Sequence, residues 1–154
     1  MEFERCREIL LEETALVQRI MDLQNLIKDA LAARDWTDFE GHFSALSEIQ
    51  GEFSVLEAER EQLFSGVHTG FYACIAHLPA EQRRELSEIF RNLKLETLRV
   101  QISGEAIMAF IAGARATMAG FFEIAFPDRG GKIYTPYGKP VSHDMRSMVL
   151  NQRF

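Results

Sequence analysis

The amino-acid sequence predicts an all-α protein, an antiparallel three-helix coiled-coil-like bundle with a long third helix and a flexible C-terminal tail. Three observations support this prediction. An apolar stripe repeats every seven residues through the last helical segment, a helix-break signal divides the part before it, and helical periodicity stops near Phe126. Seven-residue spacing keeps side chains on one side of a helix. Residues 1–126 are therefore expected to form the bundle, and residues 127–154 a flexible or extended tail.

The first third of the chain has the pattern of an antiparallel helical hairpin. Its apolar stripe is wide enough to pack against two neighbouring helices. The stripe comprises Ile9, Leu10, Leu16, Val17, Ile20, Leu23, Ile27, Ala30 and Leu31. After a break at residues 33–36, Thr37 and Glu40 fit a capping box that satisfies free amides at the start of the second helix. Gly41 and Gly51 each cost about 1 kcal/mol relative to alanine, so this helix should depend on packing.

The third helix is expected from about Pro79 to Phe126, after a short apolar turn of helix at residues 71–77. At 1.5 Å per residue its stripe implies a rod of roughly 60 Å. Two interleaved sets of positions form the stripe: Leu86, Leu93, Val100, Ile107, Ala114 and Phe121, together with Phe90, Thr97, Gly104, Ile111, Met118 and Ala125. Because the first two helices are each only about 30 residues long, the third must overhang them or bend across them.

Composition and charge indicate one acidic cytoplasmic domain without a surface for nucleic acid. The 154 residues are 47% apolar and 26% charged, and the net charge is −6. The N-terminus begins with acidic residues and enters an amphipathic helix, which is not the pattern of a secretory signal. From Asp128 onward, five basic and two acidic residues give the tail a net charge of +3, which leaves −9 on the body. This basic tail could pair with its own body, bind an acidic partner or stay solvated.

Few residues could carry chemistry, and we expect no catalysis, no bound metal and no cofactor. Cys6 and Cys74 are expected to be buried and reduced. Cys74 and His77 have the spacing of two metal ligands, but no second pair completes a tetrahedral site. No histidine has a glutamate three residues before it, as in di-iron bundles. Residues 129–132 follow no strand, so we expect a loop at a helix end and not a phosphate site.

Residues 106–126 are nearly apolar enough to cross a bilayer, but we expect no integral membrane span. Arg115 in the middle would cost about 2.5–3.5 kcal/mol at the bilayer centre, and Glu123 lies near one end. The seven-residue stripe continues through these residues without change, which favours a helix of a water-soluble bundle.

The same residues carry a second apolar row beside the stripe, interrupted only by Arg115. This row comprises Met108, Ala112, Ala119, Phe122 and Phe126. A helix that is apolar around so much of its girth must be covered on more than one side. Exposed Met and Phe side chains mark protein-binding surfaces. The candidate client-binding residues are Met108, Ile111, Met118, Phe122 and Phe126. Coverage by the first two helices, or by the mate in a homodimer, is the open alternative.

Two tyrosines stand out in the C-terminal tail, where prolines and glycines disfavour a continuous helix or central strand. Tyr134 and Tyr137 have little reason to be aromatic in an exposed segment unless a partner covers the rings. The alternative is that both fold back onto the apolar end of the third helix, near Phe122 and Phe126.

The chain resembles the FlgN-type flagellar export chaperones. The resemblance covers most of the chain: a Glu-rich first helix, the Leu-Glu-Ala-Glu-Arg end of the second helix at residues 56–60, the long third helix, and a tail with Tyr and Gly. In the tail, at residues 133–142, Tyr134 and Gly138 are the best matches for the family's short Tyr…Gly segment.

The resemblance implies a cytosolic chaperone that holds hook-associated proteins before type III secretion. Clients would bind through their terminal amphipathic helices. The tail, with Tyr134, Tyr137 and Gly138, would dock to an export-gate protein and deliver the complex. Two other classes of function stay open: a coiled-coil scaffold or regulator with no export role, and a small helical enzyme or metal protein.

Overall fold

The computed structural model describes residues 3–64 and 70–125, with only the backbone of residues 121, 122 and 125. Its helices are α1 (Phe3–Ala33), α2 (Trp36–Leu63), α3 (Phe71–Ile75) and α4 (Ala80–Ala125). No strand occurs within the described ranges, and the all-α prediction is confirmed. The described helices number four because the short apolar turn expected before Pro79 is α3. The start of α4 lies within one residue of the start predicted for the third helix, and the predicted end at Phe126 lies outside the described residues.

A left-handed residue and a capping carboxylate form the turn between α1 and α2. Arg34 has a φ of 56°, and its amide donates to the carbonyl of Leu31 at 3.2 Å, just after α1 ends. Asp35 is the N-cap of α2, and its Oδ1 accepts a hydrogen bond from the Asp38 amide at 3.0 Å. The predicted capping box is therefore wrong. Thr37 lies inside the helix because Asp35 caps the chain two residues earlier.

The Asp35 cap gives a testable effect on stability. Asp35→Ala is expected to lower the free energy of unfolding by about 1 kcal/mol, because an amide at the start of α2 loses its acceptor. Thr37→Ala is the matched control: this exposed side chain is expected to contribute less than about 0.5 kcal/mol. Urea unfolding measures both changes. A larger loss for Thr37→Ala than for Asp35→Ala would place the cap at Thr37 and contradict the observed helix start.

Two ion pairs show that α1 and α2 run in opposite directions. Near the start of α1, the Nε of Arg5 lies 2.8 Å from an Oε1 of Glu59, close to the end of α2. Further along α1, Arg19 pairs with Glu52 at 3.7 Å. From the first of these pairs to the second, the partner on α2 moves back by seven residues while α1 advances by fourteen. All four side chains are at least a third exposed, so these pairs indicate direction more than they add stability.

The contacts between α1 and α4 show that these two helices run in the same direction. Arg7 pairs with Glu85 near the start of both helices. Seventeen residues further along α1, the buried Gln24 donates a hydrogen bond to the carbonyl of Val100 at 3.1 Å. A buried polar side chain that contacts a defined backbone atom fixes the register between two helices, because sliding would break the contact in an apolar interior.

The core lies along α1, which contacts both α2 and α4. This agrees with the wide apolar stripe of α1, because a wide stripe is needed to cover two neighbours. The side chains that are fully buried in this core are mostly aliphatic. The largest of them are Phe53, Ile9, Leu10, Ile20, Ile27, Leu46, Ile75, Leu86 and Leu93.

The apolar stripe of α4 is buried only as far as Ile107. Before that point its members are buried, and after it Ile111 is half-buried while Ala114 and Met118 are exposed. The reason is helix length. Gln24 lies opposite Val100 and α1 ends nine residues later, so at equal rise α1 ends level with about residue 109. Residues 110–125 of α4 extend about 24 Å beyond that level.

A charged pair is buried between α1 and α2. The Nε of Arg60 donates to Oε1 of Glu13 at 3.0 Å, and both side chains are less than a tenth exposed. The Arg60 guanidinium also lies 5.9 Å from the centre of the Phe90 ring. Burial raises the pKa of Glu13, and the positive charge of Arg60 offsets part of that rise. Burial likewise raises the pKa of the neighbouring Glu57.

Both cysteines are buried and free, as predicted. Burial raises the pKa of Cys6 to about 11. A thiol in this state is almost entirely protonated at neutral pH and reacts slowly with disulfides or alkylating reagents.

Candidate protein-binding surface

The distal segment of α4, residues 108–125, is the part of the helix that extends beyond the buried stripe. Met108 and Ile111 are half-buried and pack against the edge of the core. Met118 is 48% exposed. The structure therefore brings these three predicted client-binding residues onto one exposed end of the helix. The Phe122 side chain and Phe126, the other two candidates, lie outside the described residues.

The distal segment has little charge for an exposed helix. Within residues 108–125 the charged residues are Arg115, which is half-buried, and Glu123, which is exposed. Phe110 and Ile124 are 58% and 86% exposed. Monomeric soluble proteins rarely present contiguous apolar surface of this kind unless it binds something.

A second exposed stripe on α4 was not among the residues predicted from the sequence. We call it the outer stripe. Its nine positions follow each other in steps of three and four, and none of them is charged. They are Leu95, Leu98, Ile102, Ala106, Ala109, Gly113, Ala116, Gly120 and Ile124. Eight of the nine are exposed and Gly120 is half-buried.

The outer stripe faces away from the core. Leu95 lies two residues after the buried Leu93, and Ile102 lies two residues after the buried Val100. Two residues correspond to a rotation of about 200° around an α-helix, so the two stripes lie on opposite sides of α4. This spacing was visible in the sequence. The predicted second row lies beside the buried stripe, whereas the outer stripe lies on the opposite side of the helix.

The remaining predicted site residues are not brought into contact with this surface. Tyr134, Tyr137 and Gly138, the candidate docking residues, lie outside the described residues, as does the whole proposed tail domain, 127–154. Cys74 is buried and His77 is exposed. Across residues 3–64 and 70–125 no group of three or more His, Cys, Asp or Glu side chains is placed to hold a metal ion.

The 106–126 stretch gives no membrane span in the part of the chain that is described. Of the helices there, none combines the length and apolar character that crossing a bilayer requires.

Comparison with known proteins gives no relative. No protein-family model, curated protein or solved structure matches the chain.

Proposed function

We propose that this protein is a cytosolic flagellar export chaperone that holds hook-associated proteins before type III secretion. In this proposal the three long helices form an antiparallel coiled-coil-like bundle, and the distal segment of α4 binds the terminal amphipathic helices of the client. The observation that carries the proposal is the apolar surface of the distal segment, which the rest of the described chain leaves uncovered and on which Met118 is half exposed.

The chemistry of the distal segment suits an amphipathic helix as its ligand. Such a helix lays its apolar side chains into an apolar surface, and flexible methionines adapt to different side chains. Met108 and Ile111 pack against the core, so they form a supported base, while Met118 projects into solvent. A client helix of this type would cover surface that α1 is too short to reach.

The tail completes the proposed cycle. By resemblance to FlgN-type chaperones, Tyr134, Tyr137 and Gly138 would dock to an export-gate protein and deliver the chaperone–client complex. A separate docking segment is useful here because the client occupies α4 until the complex is delivered. The tail has a net charge of +3 from Asp128 onward, which favours an acidic surface on the export-gate protein that it would bind.

The test is a single charge placed on the distal segment. Met118→Glu is expected to weaken binding of a purified hook-associated protein at least about 10-fold, because the carboxylate loses water when the client helix packs on it. Isothermal titration calorimetry measures the change. Val55→Glu is the matched control, since Val55 is a 68% exposed apolar residue on α2, away from the proposed surface. This control should bind like the wild type and both variants should stay folded.

Two outcomes would contradict the proposal. Equal binding by Met118→Glu and the wild type would exclude the distal segment as the client site. Failure of the wild-type protein to retain any unassembled hook-associated subunit in a pull-down from cytosol would exclude the export role and favour a coiled-coil scaffold or regulator.

A further inference from the structure

We propose that the outer stripe of α4 is a homodimer interface, in which α4 packs antiparallel against α4 of a second copy with the two-fold axis near Ala109. This inference goes beyond the client surface. The outer stripe lies on the side of α4 opposite the core. Five of its nine positions lie within the distal segment, but the proposed client residues Met108, Ile111 and Met118 are not among them.

The outer stripe has the length and the exposed apolar side chains of a helix interface. From Leu95 to Ile124 it spans about 44 Å at 1.5 Å per residue. Leu95, Leu98 and Ile102 are each at least half exposed, at 51%, 52% and 59%. Single exposed apolar residues are normal on a protein surface, but a continuous uncharged stripe of nine positions is not.

The sizes of the side chains make the outer stripe complementary to itself in the antiparallel direction. A two-fold axis near Ala109 pairs positions that lie equally far from it, to within one residue, on either side. Large residues then meet small ones at two pairs of positions, where Leu98 faces Gly120 and Ile102 faces Ala116. Nearer the axis two small residues meet, Ala106 and Gly113. Only the outermost pair, Leu95 with Ile124, joins two large residues. A C2 interface requires this kind of self-complementary surface.

The parallel arrangement lacks this complementarity. It would set each position of the stripe against its own copy, so Leu98 would meet Leu98 at one end and Gly120 would meet Gly120 at the other. The helices would be held apart at the first end and would leave a gap at the second. Close packing without gaps favours the antiparallel direction.

Among the residues that the structure describes, nothing packs closely against the two glycines of the outer stripe. A methyl group at Gly113 or Gly120 would meet nothing within 4 Å. Glycine inside a helix costs about 1 kcal/mol relative to alanine. Within the described part of one chain, packing therefore does not require glycine at either position. In the antiparallel pair both positions become depressions that receive a larger side chain of the second copy.

Charges beside the outer stripe also agree with an antiparallel pair. Lys94 and Glu123 lie on the same flank of the stripe, one near each end. In an antiparallel pair, like flanks face each other, so Lys94 of each copy comes near Glu123 of the other. Symmetry gives this opposite-charge contact twice. On the other flank Phe110, 58% exposed, comes near its own counterpart beside the axis.

Sedimentation velocity of the full chain tests the interface. The wild type is expected to sediment as a dimer with twice the 17.6 kDa mass of one chain. Ile102→Glu is expected to raise the dimer dissociation constant about 100-fold or more, because two buried carboxylates oppose association. Val55→Glu, an equally charged change on α2, should leave the dimer intact. A wild type that is monomeric at all concentrations, or an Ile102→Glu dimer of unchanged strength, overturns the proposal.

A charge exchange tests the register independently of apolar burial. Lys94→Glu and Glu123→Lys are each expected to raise the dissociation constant about 3- to 10-fold, since each sets like charges together. The double variant restores opposite charges and should dimerise like the wild type. If the two increases in the dissociation constant combined in the double variant and did not cancel, these side chains would not meet. That result would overturn the proposed register.

Cysteine cross-linking tests the direction of the pair. Ala109→Cys lies at the proposed axis, so its two copies should form an intermolecular disulfide under mild oxidation. Gly120→Cys should not, because in the antiparallel pair its two copies lie about 33 Å apart along the helices. Cross-linking at both positions would show a parallel pair and contradict the proposal. The native Cys6 and Cys74 are buried and should not interfere.

The test of this interface and the test of client binding are independent. A protein that dimerises through the outer stripe but retains no hook-associated subunit would support the interface and reject the export role. A protein that stays monomeric but binds a hook-associated protein would support the export role and reject the interface.

Discussion

Arg60→Met is expected to lower the free energy of unfolding by about 3–5 kcal/mol at neutral pH, because it leaves the Glu13 carboxylate buried without its cation. Glu13 is fully buried and its Oε1 lies 3.0 Å from the Arg60 Nε. Methionine keeps much of the arginine stem, so most of the loss should come from charge and not from packing. Urea unfolding monitored by circular dichroism measures it.

The double variant Glu13→Leu/Arg60→Met is the control for this effect. Removing both charges should recover most of the lost stability, since an apolar pair of similar volume often replaces a buried ion pair without cost. If the double variant were as unstable as Arg60→Met alone, the loss would come from packing of the Arg60 stem and the electrostatic explanation would be wrong.

The effect of Arg60→Met should also depend on pH. Burial raises the pKa of Glu13 in the folded state above its ordinary value of 4.5, so the folded protein holds this proton more tightly than the unfolded chain. Stability from such a group falls as the pH rises above the unfolded value. Without Arg60 the rise in pKa should be larger. The destabilisation by Arg60→Met should therefore be smallest near pH 4 and grow toward neutral pH.

Leu93→Ala is expected to lower the free energy of unfolding by about 2–5 kcal/mol, since a fully buried leucine of the α4 stripe leaves a cavity when truncated. Leu95→Ala is the matched control only two residues away. Leu95 is 51% exposed, and its truncation should cost less than about 0.5 kcal/mol in a monomer. Thermal or urea unfolding at a concentration below dimer formation compares the two.

Similar losses for the two variants would contradict the assignment of opposite faces to these two leucines. Comparing Leu93→Ala with Leu95→Ala thus tests which face of α4 is buried, because both variants make the same substitution in the same helix. At higher protein concentration, Leu95→Ala should gain a concentration-dependent loss that Leu93→Ala does not show, because association stabilises the folded state by mass action.

Periodicity predicted the helices well because it depends on local geometry. The start of α4 and the presence of α3 follow from the pattern and from Pro79. The predicted start of α2 was wrong because both Asp35 and Thr37 are good N-cap residues. The choice between them depends on how the preceding helix ends, here at a left-handed Arg34. A left-handed arginine has no sequence signature, since this conformation is common only for glycine and asparagine.

The binding surface was harder to predict because exposure depends on the pairing of elements distant in sequence. Ile111 and Met118 belong to the same stripe as the buried Ile107, and only the register between α1 and α4 decides which members are covered. That register includes a contact between Gln24 and Val100, 76 residues apart. The Glu13–Arg60 pair, 47 residues apart, is equally invisible to a local pattern.

Residues 110–125 of α4, which extend beyond the end of α1, link the stability of the core to the shape of the exposed helix. An isolated helix of about 16 residues is marginal in water, since nucleating the first turn is unfavourable. Residues 110–125 avoid that step because they continue a helix already nucleated where Leu93, Val100 and Ile107 are buried. In a single chain these residues therefore stay helical by propagation from the buried part of α4. A change that unfolds α4 near Ile107 separates the turns beyond it from the nucleated part of the helix. Destabilising the core there should therefore also unfold the exposed end of α4.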